Sequence, residues 1–188
     1  ILYGIIELGS HMESFEGKSP ELKRKIKILF EHPQLKQLFY IEDTVQRSTT
    51  SSFESTLSMN EKSKVRKLIH AIEGRAIPDK EAYGYNLAKL LGARVNVQIE
   101  HTPAKADPTK IYEKVIGVFS AQGLAIPVPF EPEYKKLLFF IDAAGNNFMT
   151  KNFADLPFYF RKKIMESEEG KRHAAAGGKF AEHPKNDT

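Results

Sequence analysis

The sequence predicts a mainly β protein in which antiparallel strands are interrupted by helices. Apolar and polar residues alternate along several short stretches, turn-forming residues separate them, and helical spacing of apolar residues is confined to a few segments. A chain of 188 residues with 41% hydrophobic content is long enough for one compact core. We therefore expect one main domain.

The first third of the chain predicts three strands. Residues 22–31 alternate basic and apolar side chains, so Ile26 and Ile28 would face the core while Lys25 and Lys27 face solvent. The later features are a break at 32–34, a second strand within 35–46, a Ser/Thr-rich turn at 48–52 and a third strand at 53–59.

A helix is expected after residue 58. Ser58 and Glu61 have the spacing of a capping box, and Gly74 would end the helix. Its basic residues form either a solvated face or phosphate contacts. The apolar positions are Val65, Leu68, Ile69 and Ile72, and the basic residues are Lys62, Lys64, Arg66 and Lys67.

Residues 87–119 predict a short helix followed by a β-hairpin. Asn86 would cap the helix, a polar turn at 103–108 would join the strands, and the second strand would run through Val118. The apolar side chains assigned to the core are Leu87, Leu90, Leu91, Val95, Val97, Ile99 and Val118.

The C-terminal third predicts an extended connection, one strand and one helix. Prolines at 126–132 favour the connection, and the apolar run at 137–142 indicates a buried strand. Asp155 would cap the helix, with Pro157 in its first turn. Its inward-facing residues would be Leu156, Phe160 and Ile164.

Both ends of the chain are expected to lie outside the folded domain. Gly9 to Met12 read GSHM, which is typical of the residues left by a cleaved expression tag, so we exclude 1–12. Residues 168–188 turn polar and Gly/Ala-rich, which predicts a disordered, flexible tail. The predicted domain spans 13–167.

The sequence lacks the common signatures of catalysis. It has no cysteine, no histidine spacing typical of a metal site and no carboxylate pair on one predicted face, so we expect no enzyme, cofactor or metal. No apolar run is long enough to cross a bilayer, and we expect a soluble, cytoplasmic protein. A catalytic site assembled from distant segments stays open as a third hypothesis.

Basic and aromatic residues are interleaved along the predicted strands, which favours binding of single-stranded nucleic acid. Such proteins combine a positively charged groove with aromatic rings on which bases stack. The formal net charge of +4 agrees with a polyanionic partner. The candidate binding residues are Lys25, Lys27, Lys36, Phe39, Tyr40, Arg47, Phe53, Arg94, His101, Lys105, Lys110, Tyr112 and Lys114.

The order of motifs from residue 52 to 167 resembles the single-stranded DNA-binding proteins of tailed bacteriophages. The series begins at Ser55 with STLSMNEKSKVRKLIHAIEGRAIPDKE and continues at Asn86 with NLAKLLGARVNVQIEH. The segments that follow, in the same order as in the family, are IYEKVIGVFSA, IPVPFEP, LLFFID and DLPFYFRKKIMES. The chain departs from the family at Ala93 and Arg94, where members often carry proline and cysteine, and in its mixed-charge tail.

The resemblance implies an OB-like β-barrel of five strands with a helix at one end. It also implies non-catalytic coating of single-stranded DNA in replication or recombination, in the host cytoplasm. Other replication or recombination proteins, and further copies of the chain along the strand, would be partners. The alternative is a protein-interaction or regulatory module of a phage replication complex, supported by the proline-rich segment and the basic helix.

Overall fold

The structure is a computed structural model that describes residues 1–14, 17, 19–38, 44–105, 107–121 and 132–183. Its strands are β1 (Leu2–Glu13), β2 (Glu21–Gln37), β3 (Arg47–Thr56), β4 (Val95–Pro103), β5 (Ile111–Ser120) and β6 (Leu137–Phe139). Its helices are α1 (Lys64–Glu73), α2 (Asp79–Ala82), α3 (Lys151–Ala154), α4 (Phe158–Met165) and α5 (Glu168–Ala175), with 3₁₀-helices at Leu87–Leu90 and Asn146–Met149. The prediction of a mainly β fold with interrupting helices is confirmed.

The strands fall into two sheets. Four of them form a sheet in the order β3-β2-β1-β6, and β4 and β5 form a separate antiparallel pair. The predicted hairpin is therefore confirmed. Within the described residues neither sheet closes on itself, so the OB-like barrel implied by the resemblance is not formed there.

Strand β1 corrects the exclusion of residues 1–12 from the fold. It lies between β2 and β6, and Leu2, Ile5, Ile6 and Leu8 are fully buried. The GSHM stretch continues the same strand, where Ser10 Oγ donates a hydrogen bond to Glu169 at 2.6 Å. A segment that resembles a tag in sequence is thus a central strand.

Strand β2 is longer and more buried than its alternation predicts. It runs unbroken through Pro33. The N–H of Glu31 donates a hydrogen bond to the carbonyl of Ile1, the first residue of the chain. Because Pro33 lies beyond that bond, the N–H that proline lacks interrupts no hydrogen bond between β2 and β1. Ile26 and Ile28 are buried as predicted. Lys25 is buried as well, where it pairs with Glu13 of β1, and the consecutive buried residues at 28–31 show that β2 is covered on both faces there.

Two other expectations for the first third need correction or fall outside the structure. Residues 48–52 belong to β3, so the Ser/Thr-rich stretch is strand and not turn. The proposed second strand within 35–46 is the end of β2 as far as Gln37, and residues 39–43 lie outside the described residues.

Helix α1 begins later than the capping-box spacing predicts. Ser63 is its N-cap, and Ser63 Oγ accepts from the N–H of Arg66 at 3.1 Å, while the Ser63 hydroxyl donates to the carbonyl of Ser58. Gly74 ends the helix with a φ of 68°, as predicted. Arg66 is buried and not part of a basic surface, because its guanidinium pairs with Asp79.

The C-terminal elements are shorter and more numerous than predicted. The apolar run yields a strand only at Leu137–Phe139. Asp155 ends α3 and pairs with Lys151 at 2.7 Å, while α4 starts after Pro157. Residues 168–175 form α5 and not a disordered tail, whereas 122–131, with most of the predicted proline-rich connection, and 184–188 lie outside the described residues.

The described chain divides into two compact units. The first comprises the described residues of Ile1–Gly4, Ile28–Phe53 and Ser58–Lys136, and the second comprises the remainder. The core of the first unit includes Phe30, Phe53, Val65, Leu68 and Ile69. The second unit is built around an aromatic cluster of Phe139, Phe148 and Phe153, with Leu156 and Ile164 also buried.

Substitution of Ile6 tests the place of β1 in the core. Ile6→Ala should lower the free energy of unfolding by about 2–5 kcal/mol, because it removes a fully buried side chain. Met12→Ala in the same strand should change it by less than about 0.5 kcal/mol, because Met12 is 59% exposed. Denaturant titration measures both values. Wild-type stability of Ile6→Ala would show that residues 1–12 are an appendage.

The contact between Ser10 and Glu169 should make stability depend on pH. Burial alone would raise the pKa of the Glu169 carboxyl, but hydrogen bonds from the hydroxyl and N–H of Ser10 hold it below its ordinary value of 4.5. A carboxyl with a lowered folded-state pKa stabilises the fold above its unfolded-state pKa. That contribution is lost as the pH falls through the folded-state pKa.

Ser10→Ala should therefore lower the free energy of unfolding at pH 7 by at most about 1 kcal/mol, since solvent screens a half-buried carboxylate. The difference from the wild type should shrink as the pH is lowered below 4.5. Chemical denaturation across a pH series checks this, with the exposed Ser19→Ala as the matched control. A difference that is independent of pH would contradict the assignment.

Candidate nucleic-acid interface

The β4–β5 hairpin has one half-buried face and one exposed face. Val97 lies opposite Val118 and Ile99 opposite Val115, so these four side chains share the half-buried face. Only Ile116 separates Val115 from Gly117, which pairs with Gln98. The exposed face, called the open face below, carries Asn96, Gln98, Glu100 and Thr102 from β4 and Tyr112, Lys114, Gly117 and Phe119 from β5.

The extra residue in β5 decides where Phe119 points. In a regular strand, residues 115 and 119 would share a face because side chains alternate with a period of two. The β-bulge at Ile116 inserts one residue into β5 relative to β4 and reverses this alternation. Val115 is buried in consequence, and Phe119 is on the open face with 54% of its surface exposed.

The ring of Phe119 lies over Gly117. A Cβ atom at position 117 would be 2.8 Å from Cε2 and Cζ of the ring, so any larger residue there would displace the ring from this position. Glycine thus gives the ring the room to lie along the strand. The result is an exposed aromatic surface held against a two-stranded sheet.

A groove runs between α1 and β5, with a volume of about 310 Å³. The apolar floor of this α1–β5 groove includes Phe53, Leu68 and Val115, all of which are buried. The remaining lining residues are Lys64 and Lys67 from α1 and Ile116, Gly117, Val118 and Phe119 from β5. The groove is therefore apolar below, basic on one side and aromatic on the other.

The two lysines of α1 present their charge to this groove. Lys64 Nζ lies 5.9 Å from the centre of the Phe53 ring, within the range of a cation–π contact, and Lys67 is exposed. Among the described residues neither ammonium forms an ion pair with a carboxylate. Both charges are therefore available to an anion that enters the groove.

The predicted hairpin residues occupy several sides of the sheet. Tyr112 and Lys114 are on the open face, with Tyr112 64% exposed and Lys114 opposite Glu100. Arg94 is exposed just before β4 and lines a separate cleft with Asn96. His101 is on the face opposite the open face, and its Nε2 lies 3.4 Å from the carboxylate of Glu113. Lys105 and Lys110 are exposed at the turn.

The predicted residues of β2 and β3 are mostly not exposed. Lys25 is 7% exposed and pairs with Glu13, and burial lowers the pKa of Lys27. Phe53 is buried under the α1–β5 groove and cannot stack on a base. Lys36 is exposed and paired with Glu133, Arg47 is exposed, and Phe39 and Tyr40 lie outside the described residues.

Sequence reasoning missed Phe119 and Gln98 and left the role of Lys64 and Lys67 open. A phenylalanine two residues after a glycine within a strand was the available signal, because glycine in a strand often marks a bulge or a close approach. The lysine spacing of three residues along α1 also indicates one helix face.

The described residues include no cluster of three or more histidine, aspartate or glutamate side chains that could hold a metal ion. Among the described helices, none combines the length and the apolar character that crossing a bilayer requires. No protein-family model, no curated protein and no solved structure matches the chain.

Proposed function

We propose that this chain is a non-catalytic single-stranded DNA-binding protein, with the DNA bound along the α1–β5 groove and the open face. The observation that carries the proposal is the exposed ring of Phe119 over Gly117, directly beside the lysine-lined groove. Base–aromatic stacking together with backbone neutralisation is the usual way in which proteins hold single strands.

The site has the parts that such binding requires. Phe119 offers a surface for one base, and the exposed Tyr112, seven positions earlier on the same face, offers a second. Lys64, Lys67 and Lys114 would neutralise phosphates. Stacking needs a base that is free of its pairing partner, so this arrangement favours single strands over duplex.

The biological setting comes from the sequence resemblance alone. It supports coating of single-stranded DNA during phage replication or recombination, with other replication or recombination proteins as partners. Self-association along the strand belongs to the same proposal.

A second candidate is a protein-interaction module. It is favoured by an exposed aromatic pair on α4, where Phe158 is 72% and Tyr159 63% exposed. A replication protein that binds the chain, together with no binding of any single-stranded oligonucleotide, would support this candidate over DNA binding.

Phe119→Ala should weaken binding of a fluorescent oligo-dT by about 5- to 150-fold, because loss of one stacked base is worth roughly 1–3 kcal/mol. The matched control is Phe158→Ala, which removes another exposed phenylalanine and should leave the dissociation constant unchanged. Fluorescence anisotropy measures both, with duplex DNA for comparison. Equal affinities of Phe119→Ala and the wild type would contradict the site.

The lysines of α1 should contribute through phosphate contacts. Each phosphate contact with a single strand adds about 0.7 to the steepness of the slope of log affinity against log salt concentration. Substituting Lys64 and Lys67 together by glutamine should therefore make this slope shallower by about 1.4. Lys162→Gln with Lys171→Gln on α4 and α5 removes the same charge and should keep the wild-type slope. Identical slopes for the two double variants would place the phosphate contacts elsewhere.

A further inference from the structure

The two exposed rings of the open face are far apart along the hairpin. Phe119 is paired with Asn96, and Tyr112 is paired with Thr102. Asn96 and Thr102 are six residues apart on β4, the strand without the inserted residue. Six steps along a strand, at about 3.3 Å for each residue, correspond to about 20 Å. The backbone positions that carry the two rings are therefore separated by about 20 Å.

The part of the open face between the rings carries no third aromatic side chain. Gln98 lies there opposite Gly117, and Glu100 lies opposite Lys114. Gln98, Glu100 and Lys114 are exposed, and the ring of Phe119 covers Gly117. Bases can therefore stack at the two ends of this face, while its middle offers polar contacts only.

A single strand needs several nucleotides to reach both rings. Stacked nucleotides follow one another at about 3.4 Å along a strand, so a separation of about 20 Å takes about six steps. An extended backbone roughly doubles this spacing, which lowers the requirement to about three steps. A strand of about four to seven nucleotides can therefore place one base on each ring.

We infer that the open face binds one single-stranded segment of about four to seven nucleotides that lies along β5, with one base on Phe119 and another on Tyr112. This inference rests on the proposed function, since it requires a base on Phe119. It adds that both rings hold the same segment. A trinucleotide has only two steps, so it is too short to reach both rings and binds at one ring at a time.

The test measures how strand length changes the effect of Tyr112→Ala. Unlabelled oligo-dT of three or of eight nucleotides, added up to millimolar concentration, displaces a fluorescent oligo-dT, and fluorescence anisotropy gives the affinity of each. Tyr112→Ala should weaken binding of the longer strand by about 5- to 150-fold, as expected for one stacked base. It should weaken binding of the trinucleotide by about twofold at most, because the ring of Phe119, beside the two lysines of α1, still holds the shorter strand.

Two further variants serve as controls. Tyr112→Phe keeps the ring and should bind both lengths as the wild type does. Tyr159→Ala on α4 removes another tyrosine, 63% exposed, that lies outside the hairpin. It should leave both affinities unchanged.

The outcomes separate this inference from the proposed function. If Phe119→Ala weakens binding while Tyr112→Ala affects neither length, the two rings do not hold one segment and the DNA-binding site at Phe119 stands. Equal weakening of both lengths by Tyr112→Ala would also overturn the inference, because a strand too short to reach both rings cannot require both. Absence of binding to every oligonucleotide would overturn both proposals. Selective weakening of the longer strand in Tyr112→Ala, with wild-type binding in Tyr112→Phe, supports the inference.

Discussion

The buried carboxylate of Glu7 links β1 to β2 and to the segment that follows β6. Glu7 lies on β1 with no exposed surface, pairs with Arg24 of β2 and accepts a hydrogen bond at 2.9 Å from the N–H of Ile141, just after β6. An ionised carboxylate without partners in a core carries a large desolvation cost. The three segments must therefore meet in one arrangement for the charge to be compensated.

The sequence predicts most reliably where local chemistry determines the backbone. Gly74 ends α1 because a left-handed residue satisfies the last carbonyls, and Asn86 caps the following 3₁₀-helix by accepting from the N–H of Ala88. The hairpin at 95–120 follows from alternation and a polar turn. These features need no knowledge of distant neighbours.

Two predictions that depend on distant neighbours were wrong. Alternation along β2 assumes one solvated face, but successive residues of β2 are buried, and Lys25 is buried and paired with Glu13 of β1. Residues 9–12 were interpreted as a tag because a short motif carries no information about its neighbours in the fold. The carboxylate that accepts two hydrogen bonds from Ser10 belongs to Glu169, which is 159 residues away from Ser10 in sequence.

The candidate site also combines residues that the sequence identifies with one residue whose position depends on strand pairing. Their polar character assigns Tyr112 and Lys114 to an exposed face, although regular alternation would place them on the same face as the predicted core residue Val118. The buried Val115 and the half-buried Val118 are three residues apart, so regular alternation cannot place both on one face or fix the side on which Phe119 lies. One inserted residue at Ile116 moves it to the open face, and a β-bulge is a property of two paired strands that one strand's sequence does not reveal.

The order of strands in the larger sheet also bears on how the chain folds. β1 ends at Glu13 and β6 begins at Leu137, yet the two strands are neighbours in the sheet. Closing so long a loop costs entropy before the pairing returns any energy, and such non-local topologies fold slowly. Until β6 arrives, one edge of β1, with its apolar side chains, is unpaired and open to association with other chains.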